Sequence, residues 1–341
     1  MLRSRLGSWL GVLLLSTACS SGEPPAQEPA AATPERSAPA GPHDAGLRLQ
    51  WSFGTGEQWQ EQVRERMFLL RHPKQSVDPE QPVMLTEIVE RFEVLEATDT
   101  RARLSRTPVS MKVTIHEGGR EESFDQGTAA AELRDGLAAQ KLAHLDVPLV
   151  ASITSRGAVE QVHDAEAYVA AVRTRFEALA GAQPPQQQED ARAALEIELR
   201  SLAVRVSEQG LRPPLPSEPV VEGTSWTQRM RVPSLFQATV RYEIQYEVSS
   251  VTPTMVVVAL RGEGTLEPTP AMATVIGESE LGLHGHLWID PQRGVLLEHE
   301  EIMEMSVEFR PHPLVGEGGT MASRLERRRT RLEPTGEGAG G

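Results

Sequence analysis

Apolar and polar residues alternate along several segments of the chain, and each alternation predicts a half-buried β-strand. The clearest segments run from Leu47 to Phe53, from Val109 to Ile115 and from Phe236 to Val248. Strands with one apolar and one polar face are typical of antiparallel sheets that pack on one side. The third segment exceeds the usual strand length of about 5–6 residues. Long one-sided strands favour a barrel or a strongly curved half-barrel.

Two segments between the predicted strands show helical periodicity instead. Residues 128–144 predict a short helix, and residues 165–209 predict a helical hairpin. We expect Asp164 to cap the first helix of the hairpin, and Gly181 and Gly210 to end its two helices. Strands, then helices, then strands indicate an α+β fold: a curved, mostly antiparallel, half-barrel-like sheet with a packed helical hairpin.

The two β-rich regions share short motifs, which raises the question of an internal duplication. Three matches occur in the same order: Gly56–Trp59 with Gly223–Trp226, Phe92–Val94 with Tyr246–Val248, and Arg156–Gly157 with Arg293–Gly294. Duplication is one interpretation. The other is coincidence, since β-rich segments commonly share turn glycines and alternation.

The N-terminus has the pattern of an export signal. Arg3 and Arg5 precede an apolar stretch that closes with Ser16-Thr17-Ala18-Cys19. This ending resembles the bacterial lipobox, although Ser16 stands where an aliphatic residue is usual. The resemblance implies cleavage before Cys19 and lipidation of its thiol, and Ser20 in the next position implies sorting to the outer membrane. The alternative is an ordinary secretory signal that contains a cysteine by accident.

These features divide the chain into six regions. They are a lipoprotein signal peptide (1–18), a disordered Pro/Ala-rich tether (19–45), a first β-rich half (46–163), the helical hairpin (164–210), a second β-rich half (211–333) and a disordered tail (334–341).

Composition excludes several classes of function. Among 341 residues, 34 are Lys or Arg and 48 are Asp or Glu, a formal charge of −14. A balance this negative argues against a nucleic-acid partner. A single cysteine excludes an intramolecular disulfide and a cysteine-based zinc site. No apolar run of about 18 residues follows the N-terminus, so we expect membrane attachment through the lipid anchor alone.

No motif for a catalytic nucleophile or a dinucleotide-binding loop is present. Residues 277–281 do not match G-x-S-x-G, and the segment His299–Met303 has Met where a zinc protease needs its second histidine. We therefore predict neither an enzyme nor a cofactor.

One hairpin, around the turn at Asp290–Gly294, gathers imidazoles and carboxylates. If Ile289 pairs with Val295, two cross-strand pairs form: His284 with Glu300, and His286 with Glu298. Such a patch is a weak candidate for a Zn²⁺ site. The favoured interpretation is a solvated ladder of opposite charges.

Two further features involve charged residues near the C-terminus. His299 and Glu301 fall on the apolar face of their strand, where they either pair inside the protein, line the mouth of a cavity, or lie at a strand end near water. A basic run comprises Arg324, Arg327, Arg328, Arg329 and Arg331. We interpret the run as the solvated face of an edge strand; the alternative is contact with anionic lipid headgroups.

The Gly-x-x-Trp strand starts, the turn glycines and a Leu-Pro-x-x-Pro-Val segment (Leu215-Pro216, Pro219-Val220) resemble a family of uncharacterised bacterial envelope proteins and lipoproteins. The resemblance covers most of residues 47–333 and implies no activity. In architecture alone, a curved sheet with helices behind a lipobox is similar to the LolA/LolB-type half-barrels that hold acyl chains.

Two functions follow for an outer-membrane-anchored lipoprotein. In the first, the concave face of the sheet binds a lipid or another hydrophobic ligand. Five residues are candidates for that face: Trp59, Trp226, Met230, Tyr242 and Tyr246. In the second, the face is filled, and the protein is a structural or adaptor lipoprotein that binds an envelope protein. A continuous apolar cavity of about 300–1,000 Å³ would distinguish the first from the second.

Overall fold

The computed structural model describes residues 46–73, 76–133, 135–181, 183–234, 238–312 and 316–332. Within these residues, twelve strands belong to one antiparallel sheet: β1 (Gln58–Arg71), β2 (Pro82–Ala97), β3 (Arg101–Glu117), β4 (Arg120–Asp125), β5 (Leu149–Thr154), β6 (Val159–His163), β7 (Ser225–Ser234), β8 (Ala238–Val251), β9 (Val256–Pro268), β10 (Ile276–Asp290), β11 (Val295–Phe309) and β12 (Gly319–Leu332).

Three helices interrupt the strands: α1 (Gly136–Leu142), α2 (Ala165–Ala180) and α3 (Pro185–Gln209). The Asp135 carboxylate accepts hydrogen bonds from the backbone N–H groups of Leu137 and Ala138 and so caps α1. Helices α2 and α3 contact each other and form the predicted hairpin. The predicted α+β fold, a curved sheet with packed helices, is confirmed.

The order of strands across the sheet is β6-β5-β3-β2-β1-β12-β11-β10-β9-β8-β7, with β4 paired to β3. The two ends of this order, β6 and β7, would lie roughly 50 Å apart in a flat sheet. Helix α3 contacts both of them, although a helix of 25 residues is only about 37 Å long. The sheet must therefore curl, and α3 lies between its two edges.

The two halves of the sheet share the arrangement that the sequence matches suggested. Trp59 lies opposite Phe92, and Trp226 lies opposite Tyr246. At the starts of β1 and β7, the backbone N–H of the preceding glycine donates to a valine carbonyl: Gly56 to Val94, and Gly223 to Val248. Both glycines have a left-handed backbone, with φ of 82° and 85°.

The strand orders also correspond. The sequence β6-β5-β3-β2-β1 on one side of β12 matches β11-β10-β9-β8-β7 on the other side, in the same left-to-right direction. Contacts, glycine conformations and strand order therefore all support the duplication, with β12 inserted between the two copies.

Three local predictions need correction. The segment from Leu47 to Phe53 is not a regular strand; it forms one bridge, between Leu47 and Val220, and buries Leu49 and Trp51 in the core. The helix predicted over 128–144 is confined to α1. Asp164 takes a left-handed backbone and makes no side-chain capping bond to α2.

The basic run lies on β12, and the prediction of an edge strand is wrong. Strand β12 pairs with β1 on one side and with β11 on the other, so it is central. Because side chains alternate along a strand, Arg327, Arg329 and Arg331 face the interior, while Arg324 and Arg328 face outwards.

Two hydrophobic clusters fill the interior. One joins the first half of the sheet to the three helices, and the other joins the second half to Leu49, Trp51, Leu215 and Val220. None of the helices in the described ranges is long and apolar enough to cross a membrane. The signal peptide, tether and tail predicted for 1–18, 19–45 and 334–341 lie outside the described residues.

Candidate functional site

The five candidate ligand residues all have partners inside the protein. In the first half, Trp59 stacks on Phe92 with ring centroids 5.1 Å apart, and its indole N–H donates to Glu61 Oε1 at 2.9 Å. In the second half, Trp226 stacks on Tyr246 at 5.3 Å and donates to the carbonyl of Pro214 at 3.0 Å.

The remaining candidates lie beside the second stack. The Tyr246 hydroxyl donates to Gln228 Oε1 at 2.9 Å. Met230 and Tyr242 lie opposite each other on β7 and β8, and both are buried. Burial raises the pKa of the Tyr242 and Tyr246 phenols, and the negative charge of Glu301 adds to this effect. Four of the candidates are thus neighbours, whereas Trp59 belongs to the other half.

The most unusual feature of the interior is a set of ion pairs, which we call the central charge cluster. It consists of five glutamates and five arginines: Glu57, Glu61, Glu65, Glu90, Glu301, Arg106, Arg212, Arg327, Arg329 and Arg331. Equal numbers of the two charges make the cluster neutral. Buried charges that neutralise one another are typical of a structural network.

Glu61 and Arg212 form the most deeply buried pair of the cluster. Arg212 Nη2 lies 2.7 Å from Glu61 Oε1, and the two side chains are 3% and 1% exposed. The Arg212 guanidinium also lies over the rings of Trp59 and Phe92, at 5.2 and 4.9 Å. Burial by itself would raise the pKa of Glu61, but Arg212 and Arg329 outweigh it and lower this pKa to about 2.

Arg327 of β12 forms ion pairs with both of the strands that flank β12. Its guanidinium contacts Glu65 of β1 at 2.7 Å and Glu301 of β11 at 2.6 Å. His299 lies next to this group, with Nε2 3.5 Å from Glu301 Oε2. Burial lowers the pKa of His299 to about 4, against the opposing effect of Glu301. Of the positions left open for His299 and Glu301, the structure therefore gives pairing inside the protein.

The hairpin around Asp290 has a different register from the one expected. The turn pairs Asp290 with Val295 and Ile289 with Leu296, one residue away from the expected register. A β-bulge between Trp288 and Ile289 adds a second residue of shift, so Trp288 faces Glu298, His286 faces Glu300 and His284 faces Ile302. The predicted pairs of His284 with Glu300 and of His286 with Glu298 are therefore wrong: each glutamate lies opposite the residue two positions further along β10.

The carboxylates of this hairpin contact the neighbouring strand. Arg328 Nε lies 2.6 Å from Glu298 and 3.3 Å from Glu300. Among the residues that the structure describes, no group of three or more His, Cys, Asp and Glu is placed to hold a metal ion. The arrangement fits the ladder of opposite charges better than the zinc site.

Two cavities within the described part of the chain are the best formed. One has a volume of about 300 Å³ and is lined by six residues: Arg91, Glu93, Ser105, Thr107, Asp146 and Pro148. The other, about 10 Å³, lies beside Trp51, Trp59 and Arg212. Neither is the continuous apolar cavity that the lipid-binding function requires.

Sequence reasoning missed most of the central charge cluster, although one signal was present. Glu61 and Glu65 occupy every-other-residue positions on the same face of β1 as Trp59, Val63 and Met67, and that face is apolar. Carboxylates at such positions are buried and need cationic partners. No local pattern identifies Arg212 as a partner, because it follows α3 and lies 151 positions from Glu61 in the sequence. Cys19, the predicted lipidation site, lies outside the described residues.

The folds of two known structures show distant similarity to this chain. A structure entitled "Lipid-protein interactions in lipovitellin" is 11% identical with a TM-score of 0.39, and the match covers 83% of this chain and 26% of that one. The chain thus spans about a quarter of the lipovitellin chain. An outer membrane channel from Pseudomonas putida F1 is 8% identical with a TM-score of 0.18, and the match covers 86% of this chain and 100% of the channel. Likenesses this weak say nothing about function.

Sequence comparisons are more informative. A search of curated proteins finds no significant match. The model of the family of unknown function DUF6263 matches residues 99–295, which is more than half of the chain and extends from the β2–β3 turn to the first residue of β11. The chain therefore belongs to the family of unknown function DUF6263.

Proposed function

We propose that this protein is a lipoprotein anchored through Cys19 in the outer membrane, and that its folded domain is a non-catalytic adaptor that binds an envelope protein. One observation carries the choice of adaptor over lipid carrier. The side chains that would bind an acyl chain already contact the protein itself: Trp59 contacts Phe92 and Glu61, and Trp226 contacts Tyr246 and Pro214. A ligand on the inner face would have to replace these contacts.

A partner would then bind the outer face of the sheet, where one aromatic group is accessible. His286 is exposed, and its ring lies 5.7 Å from that of the half-buried Trp288. Val257 of β9 lies opposite Trp288, and Ile302 lies opposite His284. Tryptophan with apolar neighbours is typical of the centre of a protein interface.

Charged residues surround this aromatic group, and acidic ones predominate. The nearby outward-facing carboxylates are Glu247, Glu263, Glu298, Glu300, Glu304 and Glu326, against the arginines Arg261, Arg324 and Arg328. Charge complementarity steers association. We therefore expect a partner that presents an apolar pocket for Trp288 within a basic rim.

The anchor can be tested separately from the partner. In a Gram-negative host, the full chain should sediment with membranes and carry a diacylated N-terminal cysteine by mass spectrometry. The Cys19→Ser variant should lack the lipid and leave the membrane fraction. Equal membrane association of both proteins would contradict the proposed anchor.

Photo-crosslinking in the bacterium that carries the gene tests the adaptor. With p-benzoylphenylalanine in place of Ile302, we expect one discrete crosslinked product that the additional substitution Trp288→Ala removes. The matched control replaces Leu85, which faces outwards on β2 in the other half, and should give no such product. A product that persists without Trp288 would contradict docking at this patch.

Native mass spectrometry tests the alternative function, in which the protein is a lipid carrier. The Cys19→Ser chain, recovered from the periplasm, should have the mass of the protein alone after incubation with host lipid extract. Stoichiometric bound lipid, lost on Trp226→Ala, would overturn the adaptor in favour of the carrier.

A further inference from the structure

The 300 Å³ cavity lies on the outer face of the first half, away from the central charge cluster. Arg91 and Glu93 of β2 and Ser105 and Thr107 of β3 line it, because Phe92 and Arg106 between them face inwards. The loop between α1 and β5 completes the lining with Asp146 and Pro148. Its volume is at the lower end of the range for small-molecule sites, about 300–1,000 Å³.

The cavity exposes two hydroxyl groups without partners. Ser105 and Thr107 are 9% and 7% exposed. Their side chains make no hydrogen bond to any residue that the structure describes. Buried polar groups are normally hydrogen-bonded, so these hydroxyls offer two positions for a polar ligand.

Two opposite charges flank the hydroxyls and are also unpaired within the described ranges. Arg91 lies opposite Gln60 and Thr107, and Glu93 lies opposite Gln58 and Ser105, so neither has a cross-strand partner of opposite charge. Elsewhere on the same outer face, charged residues of β1, β2 and β3 do pair. Examples are Arg64 with Glu87, Arg103 with Glu96 and Arg101 with Glu160.

The loop adds a second carboxylate in a strained conformation. Asp146 has a φ of 56°, and its backbone N–H donates to the carbonyl of Pro108 at 2.8 Å. Its carboxylate lies 3.8 Å from Arg175. A left-handed non-glycine residue persists only where its surroundings hold it. Because Pro108 follows Thr107, which lies opposite Arg91, this carboxylate lies at the Arg91 end of the cavity, beside Arg175.

We propose that this cavity binds a short peptide with free termini. Arg91 pairs with the terminal carboxylate, Glu93 pairs with the terminal ammonium, and the hydroxyls of Ser105 and Thr107 bind the amide group. The Cα atoms of Arg91 and Glu93 are two residues apart on one strand, about 7 Å. Side chains that extend in parallel from these positions keep their charged ends a similar distance apart, which suits the ends of an extended dipeptide better than the closer charges of a free amino acid.

Isothermal titration of the Cys19→Ser chain with L-alanyl-L-alanine tests this proposal. We expect saturable binding below about 10 mM, and at least about tenfold weaker binding for the N-acetylated dipeptide, the C-amidated dipeptide and free alanine. Arg91→Gln and Glu93→Gln should each weaken binding of the dipeptide by a similar factor.

Matched control variants come from the paired charges of the same face. Arg64→Gln and Glu87→Gln should leave dipeptide binding unchanged, and thermal unfolding establishes that all four variants are folded. Absence of dipeptide binding, equal binding of the blocked peptides, or binding unaffected by Arg91→Gln and Glu93→Gln would overturn the proposal. None of these results depends on the adaptor function, whose patch lies in the other half.

Discussion

The two halves of the sheet share an aromatic pair at the start of their first strands, but the side chains that they bury next to it are charged in one half and uncharged in the other. The stacked pair of Trp59 and Phe92 corresponds to that of Trp226 and Tyr246. Two residues further along, on the same inner face, the first half has Glu61 opposite Glu90, whereas the second has Gln228 opposite Ile244. The next strand continues the difference, with Arg106 opposite Phe92 and Leu260 opposite Tyr246.

The positions of the strands explain this difference. Strand β1 lies beside β12, which supplies Arg327, Arg329 and Arg331 to the inner face. Strand β7, its counterpart, lies next to α3 at the edge of the sheet and, among the described strands, pairs with β8 alone. The duplicated strand arrangement thus determines which residues face the interior, and β12, which lies between the two copies, determines which charges can be neutralised there.

Removing Arg212 should have the largest effect on the first half. Arg212→Ala leaves the buried Glu61 with Arg329, at 3.3 Å, as its remaining ion-pair partner in the described cluster. Breaking a buried pair on one side costs about 3–5 kcal/mol. We expect the free energy of unfolding in urea to fall by that amount.

The second half offers the control for this variant. Arg229 of β7 pairs with Glu243 at 2.8 Å, but the two side chains are 82% and 58% exposed. Exposed pairs contribute about 0–1 kcal/mol, so Arg229→Ala should change the free energy of unfolding by no more than that. Similar losses for both variants would contradict the assignment of Arg212 to a buried network.

The sequence predicts the frame of this protein better than its interior. Alternation identified β3 and β8, and helical periodicity identified α2 and α3, because both patterns are local. The segment from Leu47 to Phe53 alternates equally well, yet it does not enter the sheet as a regular strand. Instead it contacts the β5–β6 and β10–β11 turns: the backbone N–H of Trp51 donates to the carbonyl of Ser155, and that of Ser52 donates to the carbonyl of Gly294. Alternation indicates a buried face and does not identify what pairs with the backbone.

Charged residues were harder to place, because their role depends on distant strands. The basic run suggested an edge, and only the pairing of β12 with β1 and β11 shows that Arg327 and Arg329 face buried glutamates. Likewise, the turn and the bulge at Trp288 each shift the register by one residue, so His286 faces Glu300 instead of Glu298. Local sequence patterns do not predict strand order or bulges, and a shift of the register by one residue changes every cross-strand partner.

A pH-dependent difference between the halves centres on His299. By register, Val162 occupies the corresponding position in the first half. The pKa of His299 is lowered to about 4 from 6.5 by burial, so the unfolded chain binds a proton between these pH values and the folded chain does not. Stability is therefore lost as pH falls from about 6.5 to about 4, by about 2–3 kcal/mol from this group.

Substitution of His299 should remove that loss. Charged neighbours also face this imidazole, namely Glu61, Glu301, Arg327 and Arg329, but Glu61 titrates at lower pH. We expect urea unfolding of His299→Val between about pH 7 and pH 4 to show a shallower decline than the unmodified chain. His299→Gln, polar but without a titrating group, should behave in the same way; a decline as steep as the original in both variants would show that other groups cause it.

The smallest expected effect compares the two tryptophans directly. Trp59→Phe and Trp226→Phe remove the same volume and keep both aromatic stacks, so the two variants differ mainly in the lost hydrogen bond. Trp59 donates to the buried, charged Glu61, whereas Trp226 donates to the neutral carbonyl of Pro214 at a half-buried position. Hydrogen bonds to charged groups contribute about 1.5–3 kcal/mol and neutral ones about 0.5–1.5. Trp59→Phe should therefore lower the free energy of unfolding by about 1–2 kcal/mol more than Trp226→Phe, and an equal or reversed order would mean that the Trp59–Glu61 bond does not strengthen the first half.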